Sequence, residues 1–405
     1  MARNPKLYIA MVGLPAMGKS TVAAKIKENL EKDDIRVGIF NNGDVRRRIV
    51  PHNTSQASFY DPENGEAATI REHIASINIA EAKAFLSADG EIAILDATNV
   101  SCKRRDTLRA SLTNYPILFI ECINDDPELL ALSVARKTRL PEFSQQDPEA
   151  ARASFEQRID YYRTIYDKTD DVRELVRLDT LNNRILDERI SAELPYYGRI
   201  RDLLVSDWIK NLFLVRHAES EYNQANRIGG DAGLTEKGRN QAWALSRHFI
   251  GTPLPYIFTS TRRRTLEMAE PLLSMRKGQT THHAFREFDE INVGDCEGMS
   301  YSEIERMRPD IFAARSHNKY DFIYPRGEGY ATMAARVYRG VKKAIYLSGN
   351  SEYIMIIGHQ AVNRMILSDF LFRRAEDVPY IFIPQDKYFH IVSTQTKKLF
   401  ELRKF

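Results

Sequence analysis

Two apolar runs that end abruptly in polar groups are where the sequence first offers chemistry. Leu212-Phe213-Leu214-Val215 stops at Arg216-His217, and Ile354-Met355-Ile356-Ile357-Gly358 stops at His359-Gln360. Imidazole is a usable nucleophile toward phosphorus near neutral pH, and an adjacent guanidinium can grip phosphate oxygens in pairs. Between the runs stand Arg264, in Thr259-Ser260-Thr261-Arg262-Arg263-Arg264-Thr265, and Glu290, in Glu287-Phe288-Asp289-Glu290. Near the amino terminus, Gly13-Leu14-Pro15-Ala16-Met17-Gly18-Lys19-Ser20 has P-loop spacing. Its glycines let backbone N–H groups turn inward on phosphates, Lys19 reaches the outer phosphates, and Ser20 can ligate magnesium. Arg46-Arg47-Arg48 could hold an acceptor's phosphate. Asp96 could hold Mg²⁺ through water or take the proton of an attacking hydroxyl, and Thr98 can touch substrate or phosphate.

These groups need strands that end where the chemistry begins. Leu7 to Val12 reads as a buried strand feeding the P-loop, with a helix from Thr21. Further strands are expected at 36–40, 91–96, 117–121 and 175–178, alternating with helices at 66–88, 127–136 and 147–166. That alternation predicts an α/β domain with a parallel sheet. The runs before His217 and His359 predict buried strands of a second sheet, whose carboxyl ends bring both imidazoles to one edge. A chain of 405 residues also exceeds what one core usually serves. Two domains are expected, 1–206 and 207–405, with Pro195 and Gly198 closing the first.

Apolar residues at 43% can build sizeable cores, and a net charge of +3 is too slight to argue for nucleic acid or membrane. Small anions are the expected ligands, and a nucleic-acid end-processing enzyme is disfavoured by the lack of a basic, aromatic-lined groove. Three cysteines without metal-ligand spacing suit a reducing compartment. With no signal core and no apolar run of membrane-spanning length, a cytoplasmic location is expected.

The constellation Arg216-His217, Arg264, Glu290 and His359 resembles the histidine phosphatase, or phosphoglycerate mutase-like, superfamily. Fused behind a P-loop half, it resembles the 6-phosphofructo-2-kinase/fructose-2,6-bisphosphatase family nearly end to end. In the first half the likeness rests on residues 13–20, Phe40-Asn41-Asn42-Gly43 with Arg46-Arg47, Asp96-Ala97-Thr98-Asn99 with Arg104-Arg105, and Arg158-Ile159-Asp160-Tyr161-Tyr162. It implies a P-loop kinase domain using ATP and Mg²⁺, then a histidine phosphatase α/β domain that needs no cofactor. Fructose 6-phosphate and fructose 2,6-bisphosphate are the implied ligands; a homodimer is left open.

By that resemblance Lys19, Ser20 and Lys137 serve ATP and its magnesium, with Asp96 supporting transfer. Arg46, Arg71, Thr98, Arg104, Arg158 and Tyr162 would hold fructose 6-phosphate. In the second half His217 would attack phosphorus, Arg216, Arg264 and His359 would bind its oxygens, and Asn223 would assist. Glu290 would act as general acid and then base. Gly229 lies in a further matching stretch, Asn226 to Asp231. Tyr301, Arg315, Lys319, Tyr330, Gln360 and Arg364 would hold the sugar and its second phosphate. Asp44 and Asn124 depart from the family pattern and bear on kinase rate. Ala218 replaces a glycine, and Ile323 replaces an arginine, removing a cation near the sugar phosphate. A phosphatase whose kinase half only binds nucleotide remains the alternative.

Overall fold

Every residue of β1 (Leu7–Val12) is buried, as a strand covered on both faces requires. The computed structural model describes residues 4–50, 54–191, 193–371 and 373–405, and the chain divides into two compact units, Met1–Ser206 and Asp207–Phe405. In the first unit β1 joins β2 (Val37–Asn41), β3 (Ile92–Asp96), β4 (Ile117–Ile123), β5 (Leu175–Asp179) and β6 (Arg184–Arg189) in the order β2-β3-β1-β4-β5-β6. Neighbours are parallel except β6, which runs antiparallel to β5. From β1 the chain passes to one side of the sheet, and from β3 it crosses to the other. The crevice at the carboxyl end of β1 is therefore the switch point at which such sheets bind ligands. Tyr8, Ala10, Val12, Leu95 and Phe119 pack against Ile79 and Leu86 of the helix Gly65–Ser87, each large apolar side chain contributing about 1.5–3 kcal/mol.

The second unit contains β7 (Ile209–Arg216), β8 (Tyr256–Thr259), β9 (Thr281–Ala284), β10 (Ile354–Gly358), β11 (Lys387–Ser393) and β12 (Lys398–Lys404), ordered β12-β11-β7-β10-β8-β9. β7, β10, β8 and β9 are parallel, whereas β11 pairs antiparallel with both β7 and β12. Gly358 stands opposite Arg216 in the β7–β10 register, so the next residues, His359 and His217, must leave the sheet side by side. The His217 amide donates to the Gly358 carbonyl at 3.0 Å, carrying the pairing one step further. The stretch after Gln385 supplies the two strands β11 and β12. Among the described residues no helix is long and apolar enough to cross a membrane.

Candidate active sites

In the first unit the P-loop turns tightly because Gly13 and Gly18 take φ of 134° and 83°, with Gly18 capping the helix Lys19–Leu30. A Cβ on Gly13 would stand 2.5 Å from the Cys122 carbonyl oxygen. Gly13 N–H donates to the Thr98 carbonyl at 2.9 Å, tying the loop to the end of β3. Lys19 is buried with its ammonium on the Leu14 carbonyl at 2.6 Å. Burial pushes it down to about 8, against the attraction of nearby Asp96.

A cavity of about 600 Å³ opens here, lined by Pro15, Ala16, Lys19, Ser20, Asp96, Thr98 and Lys137 together with Arg46, Arg71, Arg104, Arg158 and Tyr162. Gly13, Leu14, Met17 and Gly18 of the loop are not among the lining residues. Asp96 accepts from Asn41 Nδ2 at 2.6 Å, and the Asn41 oxygen caps the helix Asn42–Ile49 through the Gly43 and Asp44 amides. One side chain thus couples the carboxylate to the helix that carries Arg46. Arg46 pairs with Glu142 and Tyr60, Arg71 donates to the Phe59 and Asp61 carbonyls, and Arg104 pairs with Glu72 at 2.7 Å. Arg158 lies over the Tyr60 ring at 3.8 Å, its buried Nε without a hydrogen-bond partner. The sequence reading missed the roles of Asn41 and Glu142; Asn41's position at the end of β2, next to Asp96, was the available signal. Asp44 pairs with Arg47 on the cavity wall, whereas Asn124 is buried and accepts the Asp126 amide at 3.0 Å as a turn residue.

In the second unit a smaller cavity, about 120 Å³, is lined by Arg216, His217, Asn223, Gly229, Arg264, Glu290, Tyr301, Arg315, Lys319, Tyr330, Gln360 and Arg364. His217, 3% exposed, places Nδ1 2.7 Å from the Ala218 carbonyl. A carbonyl only accepts, so Nδ1 carries the hydrogen and the neutral ring keeps its lone pair on Nε2. Burial, then Arg264 and Arg216, hold the His217 pKa well below the usual imidazole value. The ring therefore stays neutral at physiological pH. The two imidazole centroids are 5.1 Å apart.

His359 is fully buried and is not among the cavity's lining residues. Its Nδ1 meets Arg264 Nε at 3.2 Å and its Nε2 meets Ser260 Oγ at 2.7 Å. Arg264 is further held by the Gly230 carbonyl at 2.7 Å. Glu290 accepts the Gln360 and Ala361 amides at 3.1 and 3.2 Å, at the start of the helix Gln360–Leu371, where N–H groups point outward.

Three alternate carbonyls of one segment face three cations: Pro379 takes Lys319 at 3.1 Å, Ile381 takes Arg364 at 2.8 Å and Ile383 takes Arg216 at 3.0 Å. Gln385 continues the segment by donating to Asn223 Oδ1 at 2.8 Å and to the His217 carbonyl at 3.3 Å. Arg315 and Arg364 also donate to Tyr301 and Tyr330 hydroxyls, both at 2.9 Å. Lys319 is pushed down to about 8 by burial and by Arg315 and Arg364. Ile323 is half exposed and outside the lining. Main-chain carbonyls carry no residue-type signal, so this segment was invisible to motif reading.

A phosphate loop beside a strand-end carboxylate, and in the other unit a neutral imidazole among guanidiniums, define a P-loop kinase joined to a histidine phosphatase. Residues 1–192 match the 6-phosphofructo-2-kinase family model, and residues 212–402 match that of the histidine phosphatase superfamily, branch 1. The 6-phosphofructo-2-kinase/fructose-2,6-bisphosphatase of Aquarana catesbeiana is 31% identical over 94% of this chain and 81% of its own length. The human form 4 is 32% identical over 94% and 81%. Among solved structures, α-ribazole phosphatase from Shigella flexneri is similar at 22% identity and a TM-score of 0.45, over 48% of this chain and 96% of that one. The chain belongs to the 6-phosphofructo-2-kinase/fructose-2,6-bisphosphatase family, and it carries both catalytic domains.

Proposed function

We propose that the first unit transfers the γ-phosphoryl group of ATP to the 2-hydroxyl of fructose 6-phosphate, and that the second hydrolyses the resulting fructose 2,6-bisphosphate at the same bond. The observation that carries this reading is a double set of cations in one cavity: Arg216 and Arg264 beside His217, and Arg315, Lys319 and Arg364 about Tyr301 and Tyr330. A sugar with two phosphates would use both sets.

In hydrolysis, His217 Nε2 attacks phosphorus while Arg216 and Arg264 stabilise the equatorial oxygens and the bond to the sugar oxygen breaks. Glu290 gives that oxygen a proton. It then takes one from water, whose attack releases phosphate and restores the imidazole. In synthesis, Lys19 and the loop amides hold the outer phosphates, Arg46, Arg71, Arg104 and Arg158 orient the acceptor, and Asp96 takes the hydroxyl proton. Ser20 and Asp96 both line the cavity, and a hydroxyl with a carboxylate suits a hard cation. Ser20 and Asp96 would hold Mg²⁺ there, and its charge would offset that of the phosphates. Three free thiols suit a reducing compartment such as the cytoplasm.

Paired knockouts test the reading. Asp96→Ala should abolish synthesis of fructose 2,6-bisphosphate and spare its hydrolysis, and His217→Ala should do the reverse. A parent protein that makes no detectable fructose 2,6-bisphosphate from ATP and fructose 6-phosphate would reduce the first unit to a nucleotide-binding module.

A further inference from the structure

We propose that Ser260, with Thr265 behind it, is a positioning residue: it accepts the Nε2 hydrogen of His359, so that the Nδ1 lone pair of that ring is kept on Arg264. The inference rests on the phosphatase reading of this site.

The direction of every hydrogen bond in the cluster follows from Arg264. A guanidinium has donors only, so its Nε–H, 3.2 Å from His359 Nδ1, requires that nitrogen to be unprotonated. The neutral ring then carries its hydrogen on Nε2, which faces Ser260 Oγ at 2.7 Å and must donate to it. Ser260 Oγ also accepts the Arg262 amide at 3.0 Å, which fills its second lone pair. Its own hydrogen is left for Thr265 Oγ1, 2.7 Å away, and Thr265 passes its hydrogen to the Arg262 carbonyl at 2.8 Å. Each hydroxyl is used once as donor. Reversing the chain would set the Arg264 N–H against a His359 N–H.

Ser260, Thr265 and His359 are fully buried, so water cannot stand in for a missing partner without entering the core. Burial and the cations Arg264, Arg262 and Arg216, with His217, also oppose a second proton on His359. Ser260 directly follows β8, Thr265 lies in the first turn of the helix Arg263–Ser274, and His359 follows β10. The relay therefore locks the ends of two neighbouring strands together, and what it fixes is Arg264, held by His359 at Nε and by Gly230 at Nη1.

The test uses the full chain labelled with ¹⁵N in histidine and arginine. Two-bond ¹H–¹⁵N correlations report which ring nitrogen is protonated, His359 being assigned by its loss in His359→Gln. The parent should show His359 protonated on Nε2 alone. Ser260→Ala should speed exchange of the Arg264 Nε–H and lower kcat for hydrolysis by about tenfold to a hundredfold, with KM changed less than about twofold. Thr265→Val should move both readouts the same way, and Thr265→Ser should restore them. Should Ser260→Ala fail to give a dispersed spectrum, the Thr265 pair decides. His359 protonated on Nδ1, or variants that leave both Arg264 exchange and kcat at parental values, would overturn the proposal. A parent that forms no phosphohistidine would instead sink the phosphatase reading, and the ring-nitrogen result would still be readable.

Discussion

Lys319 gives the most quantitative handle on the second site. Its ammonium lies among Arg315, Arg364 and the Pro379 carbonyl, and burial with those two guanidiniums brings its pKa down to about 8. If this cation helps bind the substrate's second phosphate, substrate binds the charged form, and KM scales with one plus the ratio of neutral to charged lysine. Lysine is mostly charged at about pH 7 and mostly neutral at about pH 9, so KM should rise roughly tenfold between them. The substrate's phosphates, with second pKa values of about 6, are about nine-tenths or more dianionic throughout that range, and His217 stays neutral, its pKa lying well below the usual imidazole value. Lys319→Arg keeps its charge and should flatten the profile. Lys319→Met should give a flat profile too, at a KM raised about tenfold or more, the worth of one charge-assisted hydrogen bond of about 1.5–3 kcal/mol. The assay is initial-rate hydrolysis of fructose 2,6-bisphosphate at fixed ionic strength. A parental KM that does not change with pH, or an arginine variant that keeps the rise, would refute the assignment.

Glu290→Gln retains one acceptor oxygen for the Gln360 and Ala361 amides, at 3.1 and 3.4 Å from the same carboxylate oxygen in the parent, yet cannot shuttle a proton, so kcat for hydrolysis should fall about a hundredfold to ten-thousandfold with little change in KM. Asn41→Ala releases Asp96 and uncaps the helix Asn42–Ile49; thermal melts should show about 1 kcal/mol lost, and kinase kcat should drop about tenfold. Asn41→Asp keeps the cap but sets a carboxylate against Asp96, so its kinase loss should be larger with a smaller loss of stability. Gly13→Ala forces a Cβ to 2.5 Å from the Cys122 carbonyl at a φ of 134°, which should cost about 1–3 kcal/mol and weaken nucleotide binding measured by calorimetry.

What the sequence made legible was the buried parallel strands and the motifs at their ends. The runs ending at Val12, Asp96, Arg216 and Gly358 are apolar because both faces of those strands are covered, and that pattern survives without tertiary context. The strands that went unread lie toward sheet edges or are short: β6 alternates exposed and half-buried residues, β9 reads Thr-His-His-Ala, and β12 carries Lys398, Arg403 and Lys404. Charged edges discourage edge-to-edge pairing and so erase the apolar signal. At the sites, every proposed carboxylate and every proposed cation but Arg48, which pairs with Glu81 outside the cavity, lines a cavity, whereas His359 lies behind Arg264. Glu142, Ser260 and Gln385 act through partners distant in sequence, and spacing could not pair them.

The most direct measurement is where phosphorus goes. Rapid acid-free quench of the parent with fructose 2,6-bisphosphate labelled in the 2-phosphate, followed by peptide mapping, should place an acid-labile phosphoryl group on His217. It should vanish in His217→Ala and persist longer in Glu290→Gln. Label on His359, or turnover with no phosphoenzyme at all, would contradict attack by the β7 imidazole.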